Sequence, residues 1–266
     1  MTLSPPPVSC GIDRPDAGLR RVGRTDRPAV GHALRVTSRT RRALADLERK
    51  VLPPDIAALD QLRLVPVPFV PEVRLHLAED AIVWWARMEA EAGAVLDPPF
   101  WASAWAGGQA VARYVLDHPQ VAAGRRVLDL ASGSGLVAIA ASKAGAAAVT
   151  ANDIDPYALA AIALNANANG VTVASSYGDL LDGNGGDAEL VLAGDVFYSR
   201  SMAERMLAFL ERVVARGARV LVGDPRRGHL PTDRLDVVAS YQVPMADAFA
   251  DPDINHIDVL RPRLSP

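Results

Sequence analysis

Apolar runs alternate with stretches of helical period along the second half of the chain, and this pattern organises it. Hydrophobic runs at Arg126–Leu130, Ala147–Asn152, Val171–Ser175, Glu189–Gly194 and Arg219–Gly223 read as strands. Between them the spacing predicts helices over Ala104–Leu116, Leu136–Ala144 and Ser199–Ala215. The last of these places Met202, Met206, Phe209, Leu210 and Val213 on one inward face, and Gly217 stops it. Asp155-Pro156 predicts a further helix, with a capping carboxylate ahead of a proline at the first helical position, ending at Asn169-Gly170. Leu235–Val243 and His256–Leu260 leave little room for a helix between them, which suggests an antiparallel hairpin. The expected fold is α/β: a doubly wound, mostly parallel seven-stranded sheet with right-handed crossovers and a terminal antiparallel hairpin.

The N-terminal part follows other rules. Residues 1–35 show no periodicity and read as disordered, and residues 38–52 as a short helix with Leu44, Leu47 and Val51 at helical spacing. Leu62–Phe69 and Glu72–Leu77 alternate, interrupted by Pro66, Pro68 and Pro71. Proline gives no hydrogen bond to a ladder, so these are edge strands or a hairpin flanking the sheet. Glu79–Glu91 reads as a helix carrying Trp84 and Trp85. The expected division is an arm over 1–52, a lead-in over 53–100 and a ligand-binding domain over 101–266.

Composition adds bounds. The chain has 266 residues, half of them hydrophobic, and a net charge of −3, which gives no bulk case for nucleic-acid binding. The charge is uneven, since residues 1–50 hold ten Arg and one Lys against five acids. A single cysteine, Cys10, excludes internal disulfides and thiolate metal sites. His32, His76, His118, His229 and His256 are scattered without metal-ligand spacing, so no metal is expected. No apolar run reaches the roughly 18 residues of a membrane span, and no signal sequence is expected. Arginine outnumbers lysine, which is confined to Lys50 and Lys143; with the abundant Ala and Gly, this suggests a GC-rich bacterial source and a cytoplasmic protein.

Candidate chemistry concentrates in Val127–Pro156. A strand carrying Asp129 opens into Gly133-Ser134-Gly135 and a helix, whose free N–H groups and missing Cβ atoms let a ligand approach the backbone. Asp153 follows twenty residues after Gly133, where such sheets place the acid that grips a ribose. The glycines alone also satisfy a dinucleotide fingerprint. Asp129 favours another ligand, because a carboxylate before the turn repels pyrophosphate and suits a cationic ammonium. S-adenosylmethionine carries an ammonium and a sulfonium and no phosphate.

With these strands in place, roughly residues 60–262 resemble the class I, seven-strand S-adenosylmethionine-dependent methyltransferases. Four segments narrow the resemblance: Pro99–Gln109, Ala151–Pro156, Gly194–Tyr198 and Val222–Pro225. Together they resemble the protein-lysine methyltransferases that modify the β subunit of electron transfer flavoprotein. The resemblance implies that Asp129, Ser132, Gly133 and Gly135 border the methionyl part of S-adenosylmethionine, with Gly194 alongside. It implies that Asp153 takes the ribose hydroxyls, that Trp105 packs against the cofactor and that Asp179 accepts from the adenine amine. Asp195 would receive the substrate lysine, with Tyr198 and Phe197 walling it in, whereas a helix-cap role is the competing reading of Asp195. Asp224-Pro225 shapes the substrate entrance or is simply a turn. Trp84, Trp85 and Trp101 read as packing, with Trp101 the readiest of them to touch a ligand. Ala131 and Ala106 depart from the pattern, standing where related sequences have glycine and proline. The implied partner is a protein substrate, the electron transfer flavoprotein β subunit, with no nucleic acid, no membrane and a monomeric state. Methylation of another protein, such as a ribosomal one, and a non-catalytic binding module are the alternatives.

Overall fold

The computed structural model describes residues 38–51, 61–244 and 256–263, so the part of the arm read as disordered, residues 1–35, lies outside the described residues. Helix α1 (Ser38–Lys50) comes first, followed by strands β1 (Leu62–Val67) and β2 (Val70–Ala78). The two strands pair antiparallel as a separate two-stranded sheet, with the register shifting at Pro66/Val67. Helix α2 (Ala81–Ala92) starts where the Asp80 carboxylate accepts from Ile82 N and Val83 N, satisfying two donors of its first turn. Helix α3 (Ala106–Asp117) begins two residues later than its apolar pattern suggests. Ala104 O is occupied by Gln109 Nε2, and Trp105 takes the extended N-cap conformation.

The regular part follows as β3 (Arg126–Leu130), α4 (Leu136–Lys143), β4 (Ala148–Asp153), α5 (Pro156–Ala168), β5 (Ala174–Tyr177), β6 (Leu190–Gly194), α6 (Arg200–Ala215), β7 (Arg219–Asp224), β8 (Leu235–Gln242) and β9 (His256–Pro262). The seven-stranded sheet has the order β5-β4-β3-β6-β7-β9-β8. The first five are parallel neighbours, and β9 runs antiparallel between β7 and β8. This is the doubly wound sheet with a terminal hairpin that the sequence pattern predicts. One strand is displaced: β5 starts three residues into the apolar Val171–Ser175 run and ends two residues past it. Parallel pairing of Thr150–Asp153 with Ala174–Tyr177 fixes the strand, while Val171 and Val173 pack against the core ahead of it.

The pleat distributes the core. Val127, Leu190, Leu192 and Leu221 point to the face covered by α3, α4 and α5, and Leu128, Val191, Ala193, Val220 and Val222 point to the α6 face. On α6, Met206, Phe209, Leu210 and Val213 are buried, as their spacing predicts. A third cluster joins Leu47 of α1, Trp84 of α2, Trp101 and the Ala158–Ala161 turn of α5. Trp101 is enclosed there, edge-on to Trp84 and stacked on Tyr157. It is 2% exposed, so it packs the core and does not line the ligand site. Among the described residues no helix is long and apolar enough to cross a membrane.

Candidate active site

Strand order reverses at β3, which has β4 on one side and β6 on the other. In an open α/β sheet the ligand crevice forms at that point, outside the carboxyl ends of the strands. A cavity lies there, and Trp105, Asp129, Ser132, Gly133, Gly194 and Asp195 are among its lining residues.

Its β3–β4 side is built by the turn after β3. Asp129 is 1% exposed; its Oδ2 accepts from Ser132 Oγ at 2.5 Å and from Ala138 N at 3.0 Å, in the first turn of α4. Among the described residues Oδ1 takes no hydrogen bond, and burial pushes this carboxyl up to about 7. Ala131, Gly133 and Gly135 all have positive φ, at 53°, 54° and 84°. A Cβ on Gly135 would stand 3.3 Å from Ile162 Cα of α5, so the glycine permits the turn and the helix to meet. Ala131 adopts the same left-handed conformation with a Cβ, at a cost of roughly 1–2 kcal/mol.

Asp153, at the end of β4, accepts from Gly133 N at 2.8 Å through Oδ2 and from Asp155 N at 3.0 Å through Oδ1. Burial raises its pKa while these amides hold it down. A carboxylate has about four acceptor positions, so two backbone bonds leave one on each oxygen for a pair of vicinal hydroxyls. Two contacts that support this side were not legible in the sequence. Asn152 Nδ2 donates to Ser176 O and Gly178 O, clamping β4 to the end of β5. Buried Asn165 donates to Ser134 O at 2.8 Å and accepts from His76 N at 2.7 Å, tying the glycine turn to the N-terminal hairpin.

The β6–β7 side is assembled across the chain. The first turn of α3 lies directly on two strand ends: a Cβ on Gly194 would sit 2.6 Å from Gly108 N, and one on Gly223 would sit 2.0 Å from Gly107 O. Gly194 thus lines the cavity, but the helix packed on it is what requires a glycine there. Asp195 follows with φ 57°, its amide donating to Gly223 O at 2.8 Å. Its Oδ2 accepts from Gly108 N at 3.1 Å, and its Oδ1 from Arg227 Nη2 at 2.7 Å. Burial raises the Asp195 pKa, against the opposing pull of Arg227 and the α3 amides. Asp195 therefore caps a helix, but this is α3 and not the α6 that follows it; Ser199 caps α6.

Asp224-Pro225 forms a turn. Asp224 Oδ1 accepts from Arg227 N at 2.8 Å, and Arg226 takes φ 59°. The turn delivers Arg227 to Asp195 and places its guanidinium carbon 6.0 Å from the Trp105 ring centre, within cation–π range. Trp105 itself donates Nε1–H to Phe100 O and meets the Phe100 ring edge-on.

Five predicted residues fall outside the cavity lining: Gly135 and Asp153 stand beside it, Asp153 bound to the lining residue Gly133, and three lie elsewhere. Phe197 is fully buried in the α6 core and forms no wall of the cavity, because its side chain falls on the sheet face opposite α3. Tyr198 is 59% exposed and stands outside the cavity lining, with the charge of Asp153 near enough to raise its pKa after burial does. Asp179 is exposed, accepting from Leu181 N at 2.9 Å and from Arg205 Nη2 of α6 at 2.7 Å. Both interactions lower its pKa and keep it on the turn after β5. Of the histidines, His76 is buried against Asn165, with its pKa lowered by that burial. Among the described residues no group of three potential metal ligands converges.

These observations fit S-adenosylmethionine. The cavity holds a buried, unbalanced Asp129 carboxyl with a free oxygen, which an ammonium would neutralise. Asp153 keeps two acceptor positions for ribose hydroxyls, and the backbone at the lining residue Gly133 carries no side chain to fill the cradle.

Comparison with known proteins gives three kinds of match. The family model for ribosomal protein L11 methyltransferase matches residues 113–214. The electron transfer flavoprotein β-subunit lysine methyltransferase of Rattus norvegicus is 40% identical over 181 residues, covering 65% of this chain and 70% of that protein. The Homo sapiens protein of the same name is 38% identical over 183 residues, covering 65% and 68%. Among solved structures, the ribosomal protein L11 methylase of Lactobacillus delbrueckii subsp. bulgaricus aligns with 57% of this chain and 76% of its own, at 24% identity and a TM-score of 0.41.

Proposed function

This chain belongs to the electron transfer flavoprotein β-subunit lysine methyltransferase family, and from that premise we propose that it methylates a lysine ε-amine of the electron transfer flavoprotein β subunit. One observation carries the reading. Asp129 and Asp195, at the ends of adjacent strands β3 and β6, line the same cavity, so a cationic cofactor and an amine acceptor can meet in it. The match to the ribosomal protein L11 methyltransferase model ends at residue 214, before the Asp224–Arg227 turn that completes the Asp195 side.

When bound, S-adenosylmethionine supplies an electrophilic methyl group on a sulfonium. The residues present would hold it by Asp129 at the ammonium, Asp153 at the ribose and the Gly133–Gly135 backbone along the methionyl chain. Trp105 and the α3 N-terminus form the adjoining wall. What remains for the protein is to hold an uncharged amine about 3–3.5 Å from the methyl carbon, opposite the departing sulfur. Asp195 does this by capture: each of its oxygens already accepts one hydrogen bond and keeps a position for the amine N–H. Tyr198, exposed and outside the cavity lining, is left to contact the incoming protein segment rather than the reacting nitrogen.

A labelled-methyl assay on the purified β subunit, followed by mass spectrometry of its peptides, tests the reading. Label on a lysine is expected. An unlabelled β subunit, with label on another protein of the same lysate, would move the enzyme to a different substrate.

A further inference from the structure

Asp195 as the acceptor residue creates a conflict. An ionised carboxylate beside a lysine raises the pKa of that amine above its ordinary value near 10.4, yet methyl transfer needs the nitrogen lone pair free. The structure supplies a second charge. Arg227 Nη2 donates to Asp195 Oδ1 at 2.7 Å, in the charge-assisted range. Among the described residues this is the one hydrogen bond its side chain makes, and Arg227 Nε is buried without a partner. The Asp224–Arg227 turn and the Trp105 ring hold the guanidinium there.

Other charges face the pair from each neighbouring element. Asp224 ends β7 fully buried, with Oδ2 unpartnered. Asp258 on β9 is committed to Arg226 and Ser240, with His256 3.3 Å away. Asp129 lines the same cavity from β3, Asp153 ends β4, and α3 offers Gly108 N.

We propose that Arg227 is a positioning residue that balances Asp195, so that the acceptor position receives an uncharged amine and not a lysinium ion; this rests on the methyltransferase reading above. The guanidinium acts in two ways. It cancels the field of the carboxylate that would hold a proton on the lysine, and it is itself a cation beside which a second cation is disfavoured. The lysine proton leaves to water before transfer. The N–C bond then forms as the C–S bond breaks, the bonding pair remains on sulfur, and the methylated ammonium loses its next proton to water.

The test is the pH profile of kcat/KM on the β subunit for the wild type, Arg227→Gln, Arg227→Lys and the double variant Asp195→Asn/Arg227→Gln. Arg227→Gln should fall about ten-fold or more at pH near 8 and recover as the pH rises, its midpoint moving up by about one unit or more. Arg227→Lys should keep the wild-type midpoint. Unlike an alanine, the asparagine of the double variant keeps an oxygen that accepts from the amine, so slow transfer should persist, and with both charges gone its midpoint should return to that of the wild type. Calorimetric affinity for S-adenosylhomocysteine should be the same in Arg227→Gln and wild type. An unmoved midpoint in Arg227→Gln overturns the proposal, whether its rate is unchanged or uniformly reduced, and so does a loss of S-adenosylhomocysteine affinity. If thermal melting shows that Arg227→Gln does not fold, the double variant carries the measurement, and a raised midpoint there overturns the proposal. Failure of the underlying substrate reading looks different: the wild type then leaves the β subunit unlabelled at every pH, and the proposal falls with it.

Discussion

The β3–β4 side and the β6–β7 side of the cavity hold their carboxylates by different means. Asp129 and Asp153 are bound by amides and a hydroxyl within a few residues or one crossover: Ser132, Ala138, Gly133 and Asp155. Asp195 is bound by Gly108 and Arg227, 87 positions before it and 32 after it. The first side is a local motif that any sheet of this kind can carry. The second exists only when α3 has docked on β6 and β7. A cofactor common to many enzymes can be held by the local device, whereas the acceptor site is tied to the assembled fold.

The largest expected effect breaks the second side alone. Gly223→Ala would place a Cβ 2.0 Å from Gly107 O, a backbone atom that no rotamer change can move aside, so α3 must shift. Overpacking of this kind costs about 1–3 kcal/mol or more, and the melting temperature should fall by several degrees with methyl transfer lost. Gly133→Ala is the matched change on the first side. Its Cβ would meet only Trp101 Cα, at 3.8 Å, and with φ at 54° the cost should be the roughly 1–2 kcal/mol of a left-handed alanine. Equal destabilisation in the two variants would erase the contrast.

The next pair separates the two roles. Asp153→Ala should weaken S-adenosylhomocysteine binding by about a hundred-fold, losing two charge-assisted bonds of roughly 1.5–3 kcal/mol each before compensation by water. Asp195→Ala should abolish transfer with that affinity largely kept. Calorimetry on both variants decides it, and equal loss of affinity would refute the division.

A smaller effect is a pH dependence peculiar to the first side. The folded-state pKa of Asp129, about 7, lies above the value near 3.8 expected of the unfolded chain, so the folded state binds the extra proton. Its contribution is present below about pH 4 and is lost as the pH rises towards 7. The capping Asp155 on the same side and the buried Asp224 on the other, each raised by burial to about 6, add in the same direction. Melting curves without cofactor should therefore decline over that window and be flatter in Asp129→Asn. The stabilisation given by S-adenosylhomocysteine should grow as Asp129 ionises. The smallest effect is Ala131→Gly, which relieves a left-handed alanine and should raise stability by up to about 1 kcal/mol.

By itself the sequence determined everything that depends on near neighbours along the chain. The apolar runs, the helical spacings and the capping residue Asp155 set the strands and helices, because these interactions close within a turn or a strand. Asp129, Gly133 and Asp153 were legible because one strand, one turn and one crossover carry them to the same spot. The tertiary structure alone decided that Phe197 belongs to the core and that Asp179 is taken by Arg205. It also decided that Gly107, Gly194 and Gly223 are contact points between backbones, and that Arg227 sits on Asp195. Each of these depends on which distant segment arrives at a strand end. That is fixed by packing a helix against a twisted sheet, and no spacing within the sequence encodes it.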